Sequence, residues 1–101
     1  MAGYVIIIRE QTTDPAGYAA ALQKYTEQAM QAPNLDRIRP LATRATRFEV
    51  MEGDAAENVA LLKFPSYDEA LAWYRSDAYQ AALPHRQSVA RFQTFVLEGE
   101  D

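Results

Sequence analysis

The stretches Tyr4-Val5-Ile6-Ile7-Ile8-Arg9 and Val59-Ala60-Leu61-Leu62-Lys63-Phe64 decide how this chain is read. Both are apolar on nearly both parities and the first is rich in β-branched residues, as expected of a strand covered on two faces rather than one. Around them the hydrophobic period changes. Asp14-Pro15 opens a helix, with Asp14 as N-cap and Pro15 at the first helical position, where a missing N–H costs nothing. Tyr18, Leu22, Tyr25 and Ala29 follow at helical spacing and form one apolar stripe, which Pro33-Asn34 ends. Asn34 to Pro40 reads as a connection. Thr43 to Glu52 alternates, Phe48 and Val50 on one face and Arg47 and Glu49 on the other, which predicts a half-exposed strand running into a turn at Glu52-Gly53-Asp54.

After the second apolar run, Ser66 and Glu69 form a capping-box pair. The helix they open carries Tyr67, Ala70, Leu71 and Tyr74 on one stripe. Ser76-Asp77 marks a break and a fresh start, with Tyr79, Ala82 and Leu83 following until Pro84 interrupts. Phe92, Thr94 and Val96 then alternate with Gln93, Phe95 and Leu97 in a last strand. The order is β-α-β-β-α-β, the split βαβ of ferredoxin-like domains. It predicts an α+β fold with a four-stranded antiparallel sheet. In that topology the first and third strands are central, and they are the two without a polar face. Helices cover only one face of such a sheet. The other face would expose Ile and Leu to water, so a homodimer with two sheets facing each other, a dimeric α+β barrel, is expected.

The composition narrows the function by exclusion. The chain has 101 residues, which fits one domain over 1–101 and leaves no room for separate cofactor and substrate domains. Fourteen acidic against ten basic residues, a net charge of -4, argue against a nucleic-acid partner. No cysteine is present, so disulfides, thiolate metal sites and cysteine nucleophiles drop out. No apolar run approaches the ~20 residues of a membrane span, and Tyr4–Ile8 lacks the cationic start and length of a signal peptide. A cytoplasmic protein without membrane partner is the expectation.

Joint features then suggest a relative. Phe48-Glu49-Val50-Met51-Glu52-Gly53, Phe64-Pro65-Ser66, Ala72-Trp73-Tyr74 and Ser76-x-x-Tyr79-Gln80, followed by Arg86, resemble the DUF1330 family of small dimeric α+β-barrel proteins. The resemblance runs from Tyr4 to Gly99. It implies the fold and the dimer, and no established activity. Arg44 falls where the family carries an arginine, but Ala45-Thr46 stands where a Gly-Gly pair is usual, and Ile38-Arg39 replaces a glycine-rich lead-in. If those glycines permit a bulge or a close ligand approach, this chain is expected to have a more regular strand and a different pocket mouth.

Few residues can carry chemistry. His85 is the sole histidine, which rules out a paired-histidine metal site, and Glu49, Glu52, Asp54 and Glu57 read as a solvated hairpin tip, so no metal is expected. Arg86 beside His85 could leave that imidazole as a neutral base, although a lone histidine is more often a surface residue. Arg37, Arg39, Arg44 and Arg47 lie within eleven residues, either as a charged edge strand or as an anion grip. Arg44 shares the parity of Phe48 and Val50, which places it toward apolar surroundings and demands an acid such as Glu52 or a bound anion. Trp73, Tyr74 and Tyr79 are core aromatics first. With Tyr4 and Phe95 they could also line a pocket. No phosphate-binding glycine loop appears, and Ser66 and Ser76 are caps without an adjacent base. The expected function is binding of a small anionic or aromatic metabolite by Arg44, Trp73, Tyr79, His85 and Arg86, with no cofactor. The alternative is a cofactor-free enzyme, monooxygenase-like or a lyase or isomerase, with His85 or Arg44 as its polar group, on the fold-level analogy to the wider superfamily.

Overall fold

The computed structural model describes residues 1–101. Its elements are β1 (Ala2–Thr12), α1 (Tyr18–Ala29), a 3-10 turn (Leu35–Arg37), β2 (Arg39–Ala42), β3 (Asn58–Phe64), α2 (Tyr67–Arg75), α3 (Asp77–Gln87) and β4 (Ala90–Gly99). The four strands form one antiparallel sheet in the order β2-β3-β1-β4. This is the expected α+β ferredoxin-like arrangement, with the two apolar runs at its centre. No helix is long and apolar enough to cross a membrane.

Register assigns the residues of β1 to two faces. Val5 stands between Leu62 and Val96, and Ile7 between Ala60 and Thr94. This is the helix-covered face, where Val5 and Ile7 join Phe64, Ala70, Trp73, Tyr79 and Leu83 in one buried cluster. Gly3 lies on the same face, and a Cβ there would sit 2.3 Å from the carbonyl oxygen of Ser66. Only glycine lets β1 approach the start of α2 this closely. On the opposite face Ile6 stands between Leu61 and Phe95, and Tyr4 between Lys63 and Leu97. No helix covers it, and Phe95 and Leu97 remain 45% and 39% exposed.

The caps follow the sequence. Ser66 Oγ accepts the Glu69 N–H at 3.1 Å, and Ser76 Oγ accepts the Tyr79 N–H at 3.3 Å. Glu69 does not close a reciprocal box, because its carboxylate takes two hydrogen bonds from Arg37 instead. Those bonds hold the Glu69 carboxyl below its ordinary range and the Arg37 guanidinium above its own.

Four expectations need correction. Asp14 does cap, its Oδ1 accepting the Gly17 N–H at 3.1 Å, but it closes a separate turn and the regular helix begins at Tyr18. Pro84 does not interrupt α3, which continues to Gln87. The carbonyl left without a partner belongs to Gln80, which is exposed and open to water. In α2 the buried residues are Ala70 and Trp73, so the stripe is rotated toward the tryptophan. The largest change concerns residues 43–57. The predicted strand from Thr43 to Glu52 is absent, and the strand falls instead on Arg39–Ala42, within and just beyond the expected connection. Pairing explains this. β2 bulges between Pro40 and Ala42 and ends opposite Leu61, and β3 itself starts at Asn58, whose side chain donates to the Ala45 carbonyl at 3.1 Å. An alternating segment beyond Ala45 has no ladder left to join. The more regular strand expected from Ala45-Thr46 is therefore not formed either.

The acids of that segment are exposed as expected, but its far end is also anchored. Glu57 accepts from Thr12 N at 3.0 Å, Thr12 Oγ1 at 2.6 Å and Arg9 Nε at 3.0 Å. The Thr12 bonds, with Arg9 adding its charge, hold the Glu57 carboxyl below its ordinary range.

Candidate functional site

Helix α3 positions the two central residues. Tyr79 and Arg86 are seven positions apart, almost two full turns, so they share one face. Ser76 joins α2 to α3. While it caps α3, its hydroxyl donates to the Trp73 carbonyl at 2.8 Å, and the bend brings Trp73 against Tyr79 with ring centroids 4.0 Å apart. Tyr74 adds a third ring, 5.4 Å from Tyr79. From above, α1 contributes Tyr25, whose hydroxyl lies 2.7 Å from that of Tyr79, with the rings edge to face. From below, β4 contributes Phe92.

Arg86 lies inside this aromatic cluster and is 2% exposed. Its guanidinium carbon is 4.3 Å from the centroid of Phe92 and 5.6 Å from that of Tyr25. No acid meets it: the chain's ion pairs are Met1–Asp101, Arg9–Glu57 and Arg37–Glu69. Its Nε and Nη1 have no hydrogen-bond partner. Cation–π contacts in a desolvated setting contribute about 2 kcal/mol each, whereas a buried ion without a counter-charge costs several kcal/mol. The rings offset only part of that cost. Tyr79 is fully buried, and burial pushes its phenol well above the ordinary value, with Tyr25 adding to the shift and the Arg86 charge opposing it. The Tyr79 hydroxyl therefore stays protonated.

Of the residues expected to form a site, the structure brings together Trp73, Tyr79 and Arg86. His85 is not among them: one helical step turns about 100°, so Arg86 faces inward while His85 is half-exposed near the end of α3. Arg44 is exposed in the 43–57 segment and makes no ion pair with Glu52 or any other acid. It follows β2 at one edge of the sheet, whereas Arg86 packs on β4 at the other. The apolar surroundings that parity assigned to Arg44 belong to a strand that does not form. Tyr4 and Phe95 are separated from Trp73 and Tyr79 by the sheet itself. No group of three or more His, Asp or Glu residues is placed to hold a metal ion. Sequence reasoning missed Tyr25 and Phe92 as members of the cluster. Their signals were present, Tyr25 on the α1 stripe and Phe92 on the inward parity of β4, but nothing in the sequence linked either to Arg86.

Residues 2–100 match the model of DUF1330, a domain of unknown function. No curated protein matches the chain. Among solved structures, an EthD family protein from Bacillus halodurans is 14% identical with a TM-score of 0.69, over 99% of this chain and 100% of that one. A dimeric ferredoxin-like protein of unknown function from Jannaschia sp. is 15% identical with a TM-score of 0.64, over 98% and 100%. SnoaB, a cofactor-independent oxygenase from Streptomyces nogalater, is 10% identical with a TM-score of 0.56, over 99% and 93%. At these identities the likeness is one of fold.

Proposed function

The chain belongs to the DUF1330 family of unknown function, and from its own geometry we propose a homodimer that binds a small organic anion with an aromatic or apolar body at Arg86. The observation that carries this reading is a buried guanidinium with two N–H groups unpartnered and no acid beside it. A carboxylate or phenolate oxygen supplies the missing charge and accepts from one of those N–H groups. Tyr25 and Tyr79 offer hydroxyls within the same cluster, and Phe92, Trp73 and Tyr74 offer apolar ring surface. Access is through α1. In this proposal α1, none of whose residues is fully buried and whose Tyr25 stands over Arg86, moves to admit the ligand.

The dimer in this proposal joins two open sheet faces into a barrel, covering Phe95 and Leu97. The dimeric state named for the Jannaschia protein of the same fold supports it. A cofactor-free oxygenase fits less well, because the cluster offers no base: its phenol is held protonated and the only histidine lies outside it.

Thermal melts with benzoate, phenylacetate and their neutral amides test the anion reading. The acids should raise the melting temperature, by an amount equivalent to ~2.7 kcal/mol at a hundredfold excess over Kd, and the amides should not. Arg86→Met should abolish the response while leaving the free protein as stable or more so, by up to about 4 kcal/mol, since a buried unpaired charge is removed. If no acid shifts the wild type and Arg86→Met is destabilised, the guanidinium is a structural group and the reading is wrong.

A further inference from the structure

The two edges of the sheet are protected unequally. β2 is four residues long, carries Pro40 and bulges before Ala42, all features that keep a strand edge from pairing. β4 is ten residues long, has no proline or lysine, carries its charges only at Arg91 and Glu98, and pairs with β1 alone. Phe92–Leu97 therefore present an unpaired row of N–H and C=O groups along the outer edge. Residues 46–54 have the opposite deficiency. They alternate and are exposed, and their own sheet has no strand left for them. Phe48, Val50 and Met51 are 37%, 40% and 82% exposed. Asn58 holds Ala45, and Thr12 and Arg9 hold Glu57, so the stretch is tethered at both ends. Its own β4 lies at the far edge of the sheet, beyond β3 and β1.

We propose that in the homodimer Thr46–Glu52 of each protomer adds to the outer edge of the partner's β4 as a further antiparallel strand. The inference rests on the dimer reading and makes no use of Arg86. One register suits both faces. Phe48 opposite the partner's Leu97 and Val50 opposite the partner's Phe95 extend the open apolar face across the interface, and Arg47 then stands opposite the partner's Glu98 on the other face. A two-residue slip either way breaks one of the two apolar pairs. Neither Arg47 nor Glu98 has an ion-pair partner in its own chain. Two-fold symmetry makes the exchange reciprocal, so each protomer gives one strand and receives one.

The chain contains no cysteine, so an introduced pair of thiols reports this contact alone. Directly opposite residues of antiparallel strands have Cα atoms about 4.5–5.5 Å apart, within disulfide range. Phe48→Cys combined with Leu97→Cys should give a disulfide-linked dimer on mild oxidation, about tenfold in excess of that from Phe48→Cys with Gln93→Cys. Arg47→Glu and Glu98→Arg lie at exposed positions and spare the apolar contacts. Each should weaken self-association about tenfold, because the pair occurs twice, and the double variant should recover the wild-type affinity. A wild-type chain that sediments as a monomer contradicts the dimer and this inference together. A wild-type dimer overturns the strand exchange alone if the Phe48→Cys, Leu97→Cys form fails to link two chains or links within one, or if the charge reversals change nothing.

Discussion

The two faces of the sheet are made by adjacent residues of the same strands, yet their environments differ. On β1, Val5 and Ile7 look into the helices and are buried, while Ile6 and Ile8 look the other way and are only half-buried. On β4, Val96 stands beside Val5, while Phe95 stands beside Ile6 on the open side. The composition of the two sets is nearly the same. What separates them is the cover: α1, α2 and α3 all lie on one side. The covered face carries the core and the Arg86 cluster, and the open face is left with an apolar surface that asks for a partner.

Placing a carboxylate on each face sharpens this contrast most. Ile7→Asp buries an uncompensated charge in the core, which costs more than about 4 kcal/mol and consumes most of the stability of a domain this size. No cooperative melt is expected by circular dichroism. Ile6→Asp should keep the helical signal and a cooperative melt but weaken self-association by ~100-fold or more, because two copies each bring a charge into one interface. Equal unfolding in both variants would mean that the faces are not divided as described.

Ser66→Ala probes the covered side more gently. It removes the hydroxyl that accepts the Glu69 N–H and should cost about 1 kcal/mol in denaturant unfolding. The variant should still dimerise, since α2 lies away from the open face. An unchanged midpoint would show that α2 is capped by another group.

The smallest effect is expected at Arg44. In its exposed position, with no ion pair, Arg44→Met should change stability by no more than about 0.5 kcal/mol. Arg86→Met should abolish the anion response, whereas Arg44→Met should leave it in place. Loss of binding in the Arg44 variant would relocate the site to the 43–57 segment.

The elements were legible in the sequence wherever one local signal and one pairing partner agreed. The runs at Tyr4–Arg9 and Val59–Phe64 read as central strands because no parity was polar, and Ser66 and Ser76 read as caps from spacing alone. The strand predicted at Thr43–Glu52 failed for a non-local reason: its alternation was real, but β3 begins at Asn58, beside Ala45, and leaves the residues beyond Ala45 nothing to pair with. Arg44 was misplaced through the same error. Arg86 was noticed for its neighbour His85, while the property that matters, burial among Tyr25, Tyr79 and Phe92 without an acid, depends on two other elements, α1 and β4, meeting α3. Periodicity shows which side of a helix faces inward. It does not show what stands opposite.

The division between a covered face and a face awaiting a partner is tested most directly by sedimentation equilibrium of the wild-type chain at micromolar concentration. The expected result is a species of twice the 11.4 kDa chain mass, converted to monomer by Ile6→Asp. A wild-type protein that sediments at 11.4 kDa, with Phe95 and Leu97 left in water, would contradict the account.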